Sequence, residues 1–171
     1  VSSLRLIFWD FNFVNFTVIY SNFFALNLDT FVAPSLNQSA FRFFANTDST
    51  DVGTALAAQN SAATLANDGQ TFRLRSLIRT TQNKLRQNEK NFKLQFAVKN
   101  GSCDTTFTGE VYSDVTTTSA IAFYNNTSPS DDSALTANAD DPTNGSTSVN
   151  QTYQELNNFT TSVATVPKDQ N

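Results

Sequence analysis

Residues 71–99 read TFRLRSLIRTTQNKLRQNEKNFKLQFAVK, and two runs inside this stretch alternate strictly. Phe72, Leu74, Ser76 and Ile78 fall on one side of the first run, with Arg73, Arg75, Leu77 and Arg79 on the other. In the second, Phe92, Leu94, Phe96 and Val98 alternate with Lys93, Gln95, Ala97 and Lys99. Successive side chains of an extended chain point to opposite faces, so a period of two over eight residues predicts a half-buried strand. Two such runs in succession, each apolar on one face and mostly polar or basic on the other, predict an antiparallel pair covering a core. Phe72, Leu74, Ile78, Phe92, Leu94 and Phe96 are then the expected buried side chains.

Shorter strands are predicted on either side, at 40–45 (AFRFFA), 110–115, 119–124 (SAIAFY) and 151–162. Turn-forming residues separate them: NTDSTDVGT after the first, Asn100-Gly101 after the central pair, and a Ser, Asp, Asn and Thr-rich loop over 125–149. Residues 55–68 (ALAAQNSAATLAND) suit either a short helix or an extended connection along a sheet edge. Several short strands with turn clusters between them predict an all-β antiparallel sandwich. A chain of 171 residues holds one such domain, taken as 35–171, with 1–34 as an extension.

That extension is the most aromatic part of the protein, with seven Phe, Trp9 and Tyr20. Asp10, Asn12, Asn15, Asn22, Asn27 and Asp29 interrupt it too often for a membrane span. They also break up the apolar core that a signal peptide requires, which points to a mature start; a degenerate targeting remnant is the alternative. Alternation recurs in pieces whose phase slips, as bulged or bent strand requires, so the segment is expected to be extended and a candidate donor strand.

The chain contains no His and no Met, and charged residues are only 15% of it. Without His it lacks the commonest general base and transition-metal ligand, so zinc spacings and nucleophilic triads are excluded. The single Cys103 has no partner within the chain and no imidazole to activate it; it is read as a small apolar group or as one half of an external pair. No catalytic residue and no cofactor is expected, and the protein is read as a non-enzyme.

Charge is segregated. Eight of the eleven Lys and Arg residues lie between Arg73 and Lys99 against one acid, Glu89, whereas nine acids and only Lys168 follow Lys99. Arg73, Arg75, Arg79, Lys93 and Lys99 are therefore expected to meet acids from the C-terminal third or from a neighbouring subunit. Nucleic acid is not an expected partner, because the basic run has no recognition-helix pattern and the net charge is −4.

Taken together, SLNQSAFRFFANTDSTDVGTALAAQNSAATL, FRLRSLI, FKLQFAVK, SDVT, IAFYNN, ALTANADDPTNGS and VNQTYQELNNFT resemble an immunoglobulin-like β-sandwich domain of predicted surface proteins from uncultured bacteria. The resemblance spans about residues 35–165, and the order of the segments carries it. It implies an extracellular module without known catalysis. Domains of that kind continue with two more aromatic-rich strands, so the resemblance implies a sandwich lacking its last strands. The aromatic first thirty residues have no counterpart in the pattern.

Eight Asn-x-Ser/Thr sequons occur, at Asn15, Asn37, Asn100, Asn125, Asn126, Asn144, Asn150 and Asn158. Asn100, Asn126 and Asn144, in turn contexts, are the candidate glycosylation sites, although a chain so rich in Asn, Ser and Thr also produces sequons by chance. Asp131, Asp132, Asp140 and Asp141 sit in a loop with enough oxygen to be calcium candidates, without the alternate-ligand spacing of an EF-hand; the plain alternative is a solvated loop. No other metal site is indicated.

Two functions fit. One is a structural subunit of an extracellular or cell-surface filament, pilus or surface layer, a homopolymer joined by strand exchange, with Leu4, Leu6, Phe8, Phe11, Phe13, Phe16, Val18 and Tyr20 as the interface. The other is an adhesin or carbohydrate-binding module with glycans as partners. A long apolar segment that its own domain leaves uncovered favours the first, since a free-standing module would aggregate through it.

Overall fold

The computed structural model describes residues 32–98 and 109–171 of the chain. Within them the protein is all-β, with no helix, and every pairing between named strands is antiparallel. The dominant element is a ribbon of two long strands, β1 (Ser35–Ala45) and β2 (Phe72–Thr81). Four two-residue strands follow: β3 (Asn91–Phe92), β4 (Gln95–Phe96), β5 (Ser113–Asp114) and β6 (Phe159–Thr160). They pair as β3–β6 and β4–β5.

The strand expected at 72–79 is present, but its partner differs from the sequence expectation. β2 pairs with β1, not with the 92–98 run. That run is cut in two at Leu94, whose N–H donates to Asn157 Oδ1 at 2.6 Å and whose C=O accepts from Asn157 Nδ2 at 3.1 Å. One asparagine side chain thus takes the place of a neighbouring strand there. Residues 55–68 form no helix: Ala55 bridges Phe44, Leu56 N–H donates to Phe43 O, and Asn60 N–H donates to Phe41 O. They form the extended connection, lying along the outer edge of β1. Gly53 makes that approach feasible, since a Cβ there would stand 2.7 Å from Ala45 O. The strand expected at 119–124 reduces to a bridge from Thr116 to Ala122.

Burial inverts the expected faces of the ribbon. Phe72, Leu74 and Ile78 are only half-buried, as are Phe92, Leu94 and Phe96. The opposite face carries Arg73, directly across from the fully buried Phe44, and Leu77, across from the buried Ala40. Buried Val52, Leu85, Val115 and Val166 complete the apolar interior of the described residues. Leu85 and Val166 hold each other through two backbone bonds of 3.0 and 2.9 Å. Because Leu94 is half-covered, Leu94→Ala is expected to cost only about 1–2 kcal/mol, less than the usual range for a core leucine. A chemical-denaturation curve of the variant checks this.

The basic face is tolerated because loops bring oxygen to it. Arg42 and Arg75 stand directly opposite each other, a repulsive pairing on a bare ribbon. Consecutive aspartates resolve it: Asp140 pairs with Arg42 at 3.1 Å and Asp141 pairs with Arg75. Lys93 meets Asp114 at 2.9 Å, and Arg79 lies 4.0 Å from Asp169. The basic strands therefore find acids of the C-terminal third within the same chain. Lys99 lies outside the described residues.

Candidate functional site

Backbone geometry singles out one stretch. On β1, the groups turned away from β2 are used: Phe41, Phe43 and Ala45 all bond to residues 53–60. On β2, Thr80 turns away from β1, donating to Gln170 O at 2.9 Å and accepting from Asp169 N–H at 2.8 Å. By the period of two, the N–H and C=O of Phe72, Leu74, Ser76 and Ile78 turn the same way. None of these four has a backbone partner among the described residues. Among the described residues the outer edge of β2 therefore has no backbone partner over 72–78, and at Thr80 it meets the segment 167–170. Thr80 itself is fully buried, and its hydroxyl donates to Pro167 O at 2.7 Å.

Above this edge lies an apolar surface that is only partly covered. Phe43 packs edge-on against both Phe41 and Phe72, with centroids 5.7 Å apart in each pair. Leu74 and Ile78 share that face, each half-buried, and Ser76 is exposed. An unpaired row of donors and acceptors beside a half-covered apolar face is what an added strand requires.

The other face is locked. Arg73, 7% exposed, donates through Nε to Asn46 Oδ1 at 2.9 Å. Its Nη atoms donate to the carbonyls of Thr47, Ser49 and Asp51. One guanidinium thereby fixes the whole 47–51 turn. Its plane also sits over the Tyr153 ring, 4.7 Å from the centroid. Behind it, Asn46 and Asn126 bond amide to amide at 2.7 Å, Asn126 N–H donates to Glu155 Oε1 at 2.8 Å, and Tyr153 OH donates to the same oxygen at 2.7 Å. With its amide nitrogen turned toward Glu155, Asn125 donates to Oε2 at 3.1 Å. Glu155, 8% exposed, is therefore satisfied on both oxygens.

Burial, reinforced by the bond to Glu155, pushes the Tyr153 hydroxyl up to about 12 from an ordinary 10.0. The fold favours the protonated phenol, so this contribution is complete below about pH 10 and is lost as pH rises toward 12. Thermal melting followed from pH 9 to 12 is expected to fall more steeply for the natural chain than for Tyr153→Phe.

The sequence-derived sites fare unevenly. The proposed interface, Leu4 to Tyr20, lies outside the described residues, as do Asn100 and Cys103. Asn126 is a correction: it is 7% exposed and its Nδ2 donates to both Asn46 and Tyr153. A glycan on that nitrogen is incompatible with this fold. Asn144 is half-buried, and its amide makes a reciprocal pair with Asn171, at 2.9 Å in both directions. Asn37, Asn150 and Asn158 are exposed. The calcium candidates do not converge. Asp131 Oδ1 accepts from Glu155 N–H at 2.7 Å and Asp132 Oδ1 from Gln154 Nε2 at 2.8 Å, while Asp140 and Asp141 neutralise arginines. No group of three or more acids and cysteines capable of holding a metal occurs among the described residues.

Among the described residues, two depressions stand out. One follows the bulge of β1 at Gln38–Ala40, and the other is lined by Thr117, Phe123, Asn125, Asp131, Glu155 and Leu156. Among the described residues no helix is long and apolar enough to cross a membrane. Comparison with known protein families, with curated proteins and with solved structures finds no match for this chain.

Proposed function

We propose that this chain is a non-catalytic structural subunit of an extracellular filament, pilus or surface layer, assembled by β-strand exchange between copies. The observation that carries the reading is the outer edge of β2 over 72–78, which has no backbone partner among the described residues, beside the half-covered apolar surface of Phe41, Phe43, Phe72 and Leu74. The sequence supplies an occupant in the apolar residues Leu4, Leu6, Phe8, Phe11, Phe13, Phe16, Val18 and Tyr20. In this reading the ribbon and the small sheets belong to an immunoglobulin-like sandwich whose missing strand comes from a neighbour. Burying an apolar side chain fully is worth roughly 1.5–3 kcal/mol, so eight buried half-effectively give on the order of 10 kcal/mol before ordering costs. Glycan attachment falls to the exposed Asn37, Asn150 and Asn158.

Deleting residues 1–30 tests the reading. The full chain is expected to sediment as polymers and to form filaments under negative stain, and the deleted chain to remain unassembled. Filaments from the deleted chain rule out exchange through this segment.

A second reading, a carbohydrate-binding module, rests on the depression in which the Phe123 ring stands beside Asp131 and Asn125. Aromatic and carboxylate groups side by side suit a sugar, but Glu155 Oε1 already accepts from Asn126 N–H and Tyr153 OH. The assembly reading is preferred on that ground.

A further inference from the structure

We propose that Asn144, in the pair Asn144-Gly145, is a site of spontaneous deamidation gated by Asn171. The fold keeps the amide intact while Asn171 is docked on it, and the acid formed during undocking hinders the return.

The chemistry is local to the sequence. The backbone nitrogen of Gly145, once it gives up its proton to hydroxide, attacks Cγ of the preceding Asn144, with no side chain on the glycine to crowd the approach. The new N–Cγ bond closes a succinimide ring. The Cγ–Nδ2 bond breaks, and the amide nitrogen leaves as ammonia after taking a proton from water. Water then adds to either ring carbonyl and reopens the ring, as aspartate or as isoaspartate. Amide and water become acid and ammonia, and no other reactant is consumed.

The fold restrains both reacting groups. Asn144 Oδ1 accepts from Ser146 N–H at 3.0 Å and from Asn171 Nδ2 at 2.9 Å, while its Nδ2 donates to Asn171 Oδ1 at 2.9 Å. Both ends of the amide are tied, so Cγ cannot turn toward the glycine nitrogen without breaking bonds. Gly145 N–H donates to Thr143 Oγ1 at 3.3 Å, and its φ of 81° lies in the left-handed region. Asn171 is anchored in turn. It is 6% exposed, and its Oδ1 also accepts from the Ser39 hydroxyl at 3.0 Å. Its N–H donates to Thr147 O at 3.1 Å, and its C=O accepts from Val149 N–H at 2.7 Å. Freeing the Asn144 amide therefore requires local opening of this contact, and conversion proceeds only in the open fraction.

Conversion then acts back on the contact. A carboxylate has no donor to return. Whichever way the Asn171 amide turns, one oxygen of an acid at position 144 meets the Asn171 oxygen, acceptor against acceptor. Isoaspartate also lengthens the backbone by one carbon, which displaces the turn at Ser146. The pair is a one-way switch on the docking of Asn171.

Peptide-mapping mass spectrometry that separates Asn144 from the other Asn-Gly pair, at Asn100, follows the conversion in mildly alkaline buffer. In the folded full chain Asn144 is expected to convert at least about tenfold more slowly than in strong urea. Folded Asn171→Ala is expected to convert roughly tenfold faster than the natural chain, having lost the reciprocal bonds. Equal rates for the natural chain with and without urea overturn the protection. A folded Asn171→Ala chain as slow as the natural one overturns the gate. The natural chain supplies a check that needs no variant to fold: across sub-denaturing urea, hydrogen exchange of the Asn171 N–H and conversion of Asn144 are expected to rise together. Either rising without the other overturns gating by Asn171. Asn144→Asp tests the return step, with exchange at the Asn171 N–H expected to quicken roughly tenfold. Exchange unchanged from the natural chain overturns the switch.

Discussion

Ser76→Pro is expected to abolish assembly while leaving the subunit folded. Ser76 is exposed, its N–H is turned away from β1, and that N–H has no partner among the described residues. Proline removes this outward donor and the exposed hydroxyl that accepts from Gln38 Nε2 at 3.4 Å, and leaves the ladder to β1 intact, as edge strands tolerate. An incoming strand meets both a missing hydrogen bond and the pyrrolidine ring in the middle of its seven-residue track. Leaving the incoming strand's acceptor without its donor costs about 1–3 kcal/mol, which corresponds to association weaker by roughly 5- to 150-fold. Sedimentation velocity measures the association, and circular dichroism measures the fold. Unchanged polymers from a folded Ser76→Pro chain would remove β2 as the site of strand addition.

Arg73→Ala is expected to act in the opposite manner, unfolding the subunit. The guanidinium satisfies Asn46 and three carbonyls of the 47–51 turn, and it stacks on Tyr153. Truncation leaves those acceptors buried without donors and leaves the buried Glu155 without its nearby cation. Removing one partner from a buried charged network costs about 3–5 kcal/mol, a large share of the stability of a domain this size. Arg73→Lys is expected to recover little, because one ammonium on a flexible stem does not reproduce the planar fork that spans the turn. Urea unfolding of the two variants checks both statements. A loss below about 1 kcal/mol for Arg73→Ala would mean that the turn is held by its own backbone.

How far the sequence discloses this fold varies with the residues asked. β2 was legible from 72 to 79 because alternation is a local property of an extended chain. Its partner was not, because pairing depends on residues far apart in sequence. The 92–98 run alternates as cleanly as β2, and nothing local marks Asn157, 63 residues beyond Leu94, as the side chain that interrupts it. Which face is buried was also hidden. The arginine face was expected to meet acids, but which loops cover it was not legible, and the Asp140-Asp141 pair suggested a cation site rather than a clamp on Arg42 and Arg75. The sequon at Asn126 shows the same limit, since the motif says nothing about whether its amide is engaged elsewhere. The edge of β2 that lacks backbone partners among the described residues had no signature at all.

The interior just described has a thermal consequence. Among the described residues six apolar side chains are buried, alongside Arg73, Thr80, Asn126, Glu155, Thr161 and Asn171. The heat capacity of unfolding rises with apolar surface exposed and falls with polar surface exposed. Opening so polar an interior therefore changes the heat capacity less than opening a conventional oily one. Stability then varies along a shallow dome with temperature: an isolated subunit is modest in strength but loses little of it on cooling.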